Sequence, residues 1–578
     1  MPRRLMLRLP ILQWARQYNA QTLSSDVLAA LIVTLMLIPQ SLAYATLAGM
    51  PAQAGLYASI VPLVLYAALG SSRVLAVGPV AVISLMTAAA LAPHAAVGSE
   101  AYMTAAITLA TLSGLILWAM GVLRLGFLAQ FLSHPVISGF MTASALLIAA
   151  GQLKVVLGLS VNASTFLDLV LGMLAKWDQV HLPTAIVGLS SLLALWVSRR
   201  YAKPTLTQLG LSQRSADLAS KAAPVVVIAV AGALTWAVNG TSLGIRTVGH
   251  VPSGLPPLTL PSPDPALWQA LLLPALLISV VGFVESVSVG QTLAARRRER
   301  IEPNQELVAL GASNLGAAFT GGFPVTGGFS RSVVNFDAGA QTPAAGLFTA
   351  AGIVAAAVLL TPALEHIAQA TLAATIIVAV MSLADWGVLV RTWRYAKSDF
   401  LAVAITLGAT LDFGVELGLI AGVSTSLALF LFRTAQPHIA EVGWVPGTEH
   451  FRNVQRHAVT TSPMVLSLRV DESLYFANAR ALEDRINEEV AGRPALRHVV
   501  LLCSAINDID ASALESLEAI EQRLSEAGIA LHLSEVKGPV MDRLGRSDFI
   551  NRLDGRIFLT HYQAITALDP QLRQRAAF

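Results

Sequence analysis

The chain reads as long apolar runs cut by short polar connections from Val27 to Phe432, followed by a stretch of different character. "DVLAALIVTLMLIPQSLAYA" (26–45) and "AVAITLGATLDFGVELGLIAGVSTSLALFLF" (402–432) each supply the about 20 apolar residues that cross hydrocarbon as a helix. The pattern predicts fourteen spans, near 27–47, 53–69, 74–91, 102–120, 135–153, 183–198, 223–238, 268–293, 305–321, 329–342, 344–361, 371–388, 399–414 and 416–432. Residues 434–463 then read as a polar linker. From Met464 short apolar strands ("MVLSLRV", "HVVLLCS", "IALHLSE", "RIFLT") alternate with amphipathic helices such as "ASALESLEAIEQRLSEAG". That alternation predicts a small α/β domain over 464–570, with a tail at 571–578.

Cations test the span count, because short cytoplasmic loops accumulate Lys and Arg. With the N-terminus inside, the inside segments carry Arg73, Arg124, Arg199, Arg200, Lys203, Arg214, Lys221, Arg296, Arg297, Arg298, Arg300, Arg391, Arg394, Lys397 and Arg433. Outside connections hold only Lys154, Lys176 and Arg246. One span more or fewer would invert the downstream half and erase this bias. Both termini are therefore expected in the cytoplasm, with 1–25 an N-terminal segment and 26–433 the membrane domain.

The third and tenth spans depart from the rest. Each begins in Gly/Pro-rich chain, "SSRVLAVGPVAVIS" (71–84) and "GGFPVTGGFSRS" (321–332), and they hold the same ordinal place in two sets of seven. Seven is odd, so the second set runs with topology opposite to the first. Interrupted segments at matching places in two halves point to the central site of a transporter. The predicted fold is thus an all-α polytopic domain of 7+7 inverted spans with two half-helices, plus the α/β domain.

Composition agrees. The 578 residues are 55% hydrophobic and 13% charged, with mean hydropathy +0.64, far from the usual soluble balance of about 45–50% apolar and about 25% charged. A net charge of +3 gives no reason to expect nucleic acid. A single cysteine, Cys503, excludes an intrachain disulfide. "MPRRLMLRLPILQWARQYNA" has neither a continuous apolar core nor a small-residue cleavage site, so no cleaved signal is expected. His134, His250, His366 and His438 lack metal-ligand spacing, and no catalytic set stands out. Neither an enzyme nor a cofactor is expected.

The candidate chemistry lies in the broken spans. Backbone N–H groups at the start of a half-helix are unpaired and favour an anion. Gly321, Gly322, Gly327 and Gly328 let the backbone approach a ligand, Ser330 and Ser332 add hydroxyls, and Arg331 adds a bidentate guanidinium. "VGPVAVIS" offers a second half-helix start from Val80 onward. The alternative for Arg331 is a helix end whose cation snorkels to the interface. Glu285 stands in the middle of an apolar span, as a carrier of a proton or ligand of a cation, or as a protonated helix contact. Gln40, Ser41 and Tyr44 follow Pro39, whose kink frees polar groups at mid-depth; helix-packing polarity is the alternative. Asn335, Asp337, Asp412 and Glu416 fall near predicted ends, where solvated or capping roles are expected, and "RRRER" (296–300) reads as a cytoplasmic anchor.

Four stretches resemble one family. "IPQSLAYATLAGMPAQAGLYASIVPLVLYAALGSSRVLAVGPVAVISLM" (38–86) and "EPNQELVALGASNLGAAFTGGFPVTGGFSRSVVNFDAGAQTP" (302–343) are similar to the two hallmarks of SulP-type sulfate permeases, anion transporters related to prestin. "EVGWVPGTEHFRNVQRH" and "LRVDESLYFANA" resemble their linker and the start of a STAS domain. The resemblance implies a core of spans 1–4 and 8–11, a gate of spans 5–7 and 12–14, and a homodimer in the bacterial inner membrane. It implies a substrate site at Gln40, Tyr44, Val80, Ala81, Gly328, Phe329, Ser330 and Arg331, with Glu285 at the cation-coupling position. Relatives that use sodium tend to have Asp there, so Glu favours a proton. The implied function is proton-coupled sulfate uptake, with bicarbonate or dicarboxylate carriage, sodium coupling or anion exchange as alternatives, and a STAS-based sensor or scaffold as a third. "NDIDASALESL" (507–517) is similar to the segment that carries a phosphorylatable serine, here Ser512. Ala513 replaces the usual glycine, which leaves binding of a cytoplasmic protein as the default role.

Overall fold

The computed structural model describes residues 10–130, 133–161, 163, 165–210, 212–213, 216, 219–220, 222–249 and 251–572. The expectations placed on the first nine residues, Arg214, Lys221, His250 and 573–578 lie outside the described residues. The chain divides into two compact units, Met1–Ser426 and Leu427–Phe578.

The first unit is helical, and each of the fourteen expected ranges contains a helix. Among the described residues, seven helices are long and apolar enough to cross a membrane, including Ala20–Leu47, Glu100–Val122 and Pro265–Arg296. Helices approach closely where glycines face each other. A Cβ at Gly114 would lie 2.9 Å from the Gly311 carbonyl oxygen, and one at Gly311 would lie 2.8 Å from that of Gly114, so Glu100–Val122 and Pro303–Phe319 cross backbone to backbone. Elsewhere apolar side chains face outward. Leu182, Ile186, Leu189, Leu193 and Trp196 recur at helical spacing and are exposed on one stripe of Leu182–Gln208, which suits contact with lipid.

Several ranges differ from the pattern. Leu182–Gln208 runs ten residues past its expected end at 198, because "RRYAK" holds good helix formers that carry the helix out of the apolar run, and it continues through Pro204 despite the backbone bond that proline removes. The span expected to end at 388 stops at Met381, and a separate amphipathic helix, Gly387–Tyr395, follows after Asp385, whose N–H donates to Thr142 Oγ1 at 3.0 Å. In the third range only Ala81–Leu91 is helical; it is preceded by a strand, β1, Val77–Gly78. The tenth range matches it, with β2, Thr326–Gly327, leading into Phe329–Ala338.

The second unit holds a six-stranded sheet. β3 (Ile439–Trp444) and β4 (Phe451–Asn453) lie in the stretch read as linker; the short alternation of "IAEVGW" is masked by polar flanks. They are followed by β5 (Val465–Val470), β6 (His498–Leu502), β7 (Ala530–Ser534) and β8 (Ile557–Phe558), in spatial order β4-β3-β5-β6-β7-β8. β5 through β8 run parallel, while β3 is antiparallel to both β4 and β5. Val499 and Leu501 face the core under helices Ala479–Ala491 and Ala511–Glu526; Val500 and Leu502 face the core under His561–Leu568. Burial on both faces explains why these strands read as unbroken apolar runs.

Candidate functional site

The two broken spans meet. β1 and β2 pair antiparallel, Val77 opposite Gly327 and Gly78 opposite Thr326, and Gly328 N–H donates to Ala76 O at 3.1 Å. Antiparallel pairing makes the two segments enter the unit in opposite directions, and each turns into a helix just beyond the ribbon. The N-cap positions, Val80 and Gly328, make no side-chain cap, so the first-turn N–H groups of both helices are left to whatever lies between them.

Polar side chains hold this ribbon from behind. Asn314 pairs with both backbone groups of Val325, accepting from N–H at 3.0 Å and donating to C=O at 2.9 Å, as a strand neighbour would. Ser286 Oγ accepts from Gly327 N–H at 2.9 Å and lies 2.7 Å from Thr326 Oγ1. Ser332 Oγ accepts from Ala76 N–H at 3.0 Å and donates to Gly328 O at 2.7 Å. Ser332 therefore braces the ribbon and does not serve as the anion donor expected of it. Asn335 is likewise buried rather than solvated, and donates to Val74 O at 3.0 Å. Ser41 is engaged with Ser59, 2.7 Å away, and is not free for a ligand.

Two buried carboxylates anchor the outer ends of the broken spans, and the sequence reading missed both. Glu306 accepts from Tyr66 OH, Ser71 N–H, Ser71 Oγ and Ser72 N–H at 2.6–3.1 Å, fixing the approach to β1. Asp26 accepts from Gln341 N–H, Thr342 N–H, Thr342 Oγ1 and Tyr18 OH at 2.5–3.2 Å, fixing the exit from Phe329–Ala338. Four donors each satisfy an ionised carboxylate fully. Both residues sit at the margins of apolar runs, where a charge draws no attention.

In front of the ribbon lies a cavity of about 40 Å³. Gln40, Tyr44, Val80, Ala81, Gly328, Phe329, Ser330, Arg331 and Glu285 all line it, so every residue expected at the site reaches one space. Val82, Ala379, Val380 and Leu383 complete the wall. The last three come from Gln369–Met381 and the turn after it, and as apolar residues in an apolar run they left no signal. Arg331 is 2% exposed, so its cation does not snorkel to an interface. Its guanidinium lies against backbone: a Cβ at Gly78 would stand 3.2 Å from Nη1, and one at Gly328 would stand 2.9 Å from Nη2. Neither Nη1 nor Nη2 has a hydrogen-bond partner among the described residues. A buried guanidinium with open nitrogens, between two uncapped helix starts, can accept a compact oxyanion by charge-assisted hydrogen bonds. One water needs about 10–15 Å³ on this measure, so the space suits a small ion better than an extended organic acid.

Of the remaining expectations, Asp337 and Asp412 are exposed and Glu416 is half-buried. Ser512 is exposed at the second position of Ala511–Glu526, whose cap Asp510 accepts from Ala513 N–H at 2.8 Å and Phe476 N–H at 2.9 Å.

Comparison with known proteins places this geometry. Residues 23–406 match the sulfate permease family and residues 456–564 match the STAS domain. The chain is 36% identical over 556 residues to the chloroplastic sulfate transporter 4.1 of Arabidopsis thaliana, covering 94% of this chain and 79% of that protein. It is 34% identical over 555 residues to a probable sulfate transporter of Mycobacterium tuberculosis, covering 96% of each. The structure of the murine Solute Carrier 26 family member A9 anion transporter in its inward-facing state superposes with a TM-score of 0.88 at 22% identity, over 97% of this chain and 94% of that one. The helical membrane unit, the crossed half-helices and the α/β unit have one explanation: the chain belongs to the sulfate permease family of anion transporters, with a C-terminal STAS domain.

Proposed function

We propose that the protein is a secondary transporter that takes up sulfate together with a proton by alternating access. The observation that carries this reading is the buried Arg331 guanidinium, with both terminal nitrogens open, between two uncapped helix starts. In this reading the anion is held by Arg331, by Ser330 and by the first-turn N–H groups after Val80 and Gly328, with Gln40 and Tyr44 closing the site. Glu285 shares the cavity, so its negative charge opposes the arriving anion until a proton neutralises it. Protonation then tightens anion binding, and the bound anion tightens proton binding by the same factor. Fourteen spans in two inverted sets supply a core of spans 1–4 and 8–11, which carries the site past a gate of spans 5–7 and 12–14. The proposed assembly is a homodimer in a bacterial inner membrane with both termini cytoplasmic, its STAS domain docking a cytoplasmic protein.

The test is sulfate uptake into proteoliposomes with and without an inward proton gradient. Wild type is expected to accumulate sulfate only with the gradient, Arg331→Ala to abolish uptake, and Glu285→Gln to exchange sulfate without responding to the gradient. Uptake indifferent to the gradient in wild type would remove the proton, and wild-type transport by Arg331→Ala would remove the site. Bicarbonate is the second reading, because one guanidinium and two helix starts suit it equally; the cavity volume disfavours dicarboxylates. Competition by a panel of anions separates them. Sodium in place of the proton would show as uptake driven by a sodium gradient.

A further inference from the structure

A second cavity, of about 240 Å³, adjoins the small one. Gln40, Ser330 and Ala379 line both, so the two meet at a shared wall. The lining of the larger one shows what could hold an anion there. Ser198 donates to Leu195 O at 2.8 Å, Thr375 to Leu372 O at 2.6 Å and Ser382 to Ala379 O at 2.5 Å. Their protons are committed to their own helices, and they turn only lone pairs toward the space, which an anion avoids. Arg199 is the only charged side chain among the described residues lining this cavity. Its Nη1 donates to Val378 O at 3.1 Å, laying the guanidinium from Leu182–Gln208 across onto Gln369–Met381. A guanidinium has five N–H groups, so one bond to a carbonyl fixes its place and leaves donors to offer. Its neighbourhood on the sequence, "SRRYAK" (198–203), belongs to the cation-rich side on which the cytoplasm is expected.

We propose that Arg199 is a staging site for an oxyanion: it draws the ion from the water on its own side into the larger cavity, from which Gln40 and Ser330 pass it to Arg331. The proposal rests on the reading of the chain as a carrier of small inorganic anions, and it adds a second, sided anion contact to it. A charge at one mouth raises the local anion concentration there and is screened by salt, whereas loss of the shared central site affects both sides alike.

The experiment measures KM for sulfate from each side in reconstituted vesicles sorted by sidedness, with bicarbonate as the probe if wild type carries that ion instead. Arg199→Gln is expected to raise KM on the Arg199 side by about tenfold, and Arg199→Lys by less, with KM on the opposite side unchanged. In wild type, KM on the Arg199 side is expected to rise with ionic strength more steeply than on the other; this comparison needs no variant to fold. An equal change on both sides, no change on either, or equal salt dependence on the two sides overturns the staging site while leaving the carrier reading intact. Wild type that moves neither sulfate nor bicarbonate overturns both.

Discussion

Gly328 places the Arg331 guanidinium from one side and Gly78 from the other. A methyl group at Gly328 would stand 2.9 Å from Nη2 and 3.1 Å from Nε, and the guanidinium has no room to retreat because Gly78 lies behind Nη1. Gly328→Ala is therefore expected to push the cation out of register with the two helix starts. Its anion affinity should fall by about tenfold, or about 1.4 kcal/mol, with thermal stability nearly unchanged; equal affinity in a binding titration would show that the glycine does not position Arg331. Glu306→Gln tests a different kind of residue. It puts an amide donor where four donors already converge, leaving at least one buried N–H or O–H unmatched at a cost of about 1–3 kcal/mol. A lower melting temperature in detergent is the expected result, and an unchanged one would mean the Glu306 carboxylate carries no load. Arg331 and Glu285 were legible in the sequence because a charge inside an apolar run has few bland explanations. Val380 and Leu383 were illegible because nothing separates an apolar residue that lines a cavity from one that faces lipid.

At the scale of elements, the helices announced themselves and the ribbon did not. Spans such as Ala20–Leu47 repeat one signal over many residues, so their existence was plain even where their ends moved. β1 and β2 are two residues long, too short for any periodicity, and their pairing depends on Ser286, Asn314 and Ser332, which read only as scattered polarity. The unusual feature that the sequence did show was a Gly/Pro interruption at matching places, a consequence of the ribbon rather than the ribbon itself. Ser286→Ala removes the acceptor of Gly327 N–H and the partner of Thr326 Oγ1. Transport is expected to fall with little loss of helix content by circular dichroism; full activity would show that the remaining braces suffice. In the second unit the parallel strands were legible from their apolar runs, while β3 and β4 were hidden among the charges of the supposed linker.

At the scale of the whole molecule the response to acid can be located in the STAS unit, through two buried histidines. In the STAS unit, burial holds His561 down at about 4. Burial, with His498 and Arg556 adding positive charge nearby, does the same for His532. Both start from an ordinary value of 6.5. The unfolded chain therefore takes up these protons first, so their contribution to stability is complete above about 6.5 and is lost as pH falls from there toward about 4. Protection factors of amides in β6 and β7 of the full chain, with the base-catalysed intrinsic rate divided out, should fall between pH 7 and pH 5, and protection that is flat across that window would contradict the buried neutral imidazoles. Burial also raises the Cys503 thiol to about 12. The single cysteine should thus resist alkylation at pH 8 until the unit is unfolded by denaturant; rapid labelling of the native protein would argue against its place beneath the sheet.

The ribbon that joins the two half-helices has a thermodynamic consequence. Asp26, Glu306, Asn314 and Ser286 tie both helix starts into one block, so the block's motion relocates the anion's ligands without rearranging them. In the proposed cycle Arg331 and the two helix starts therefore meet the anion in the same arrangement whichever face is open. Unequal grip on the two faces would in any case concentrate nothing, because a carrier without an energy source only brings its substrate to equilibrium. In the proposed symport the concentrating power comes from the proton, and without an ion gradient the protein equilibrates its substrate in both directions.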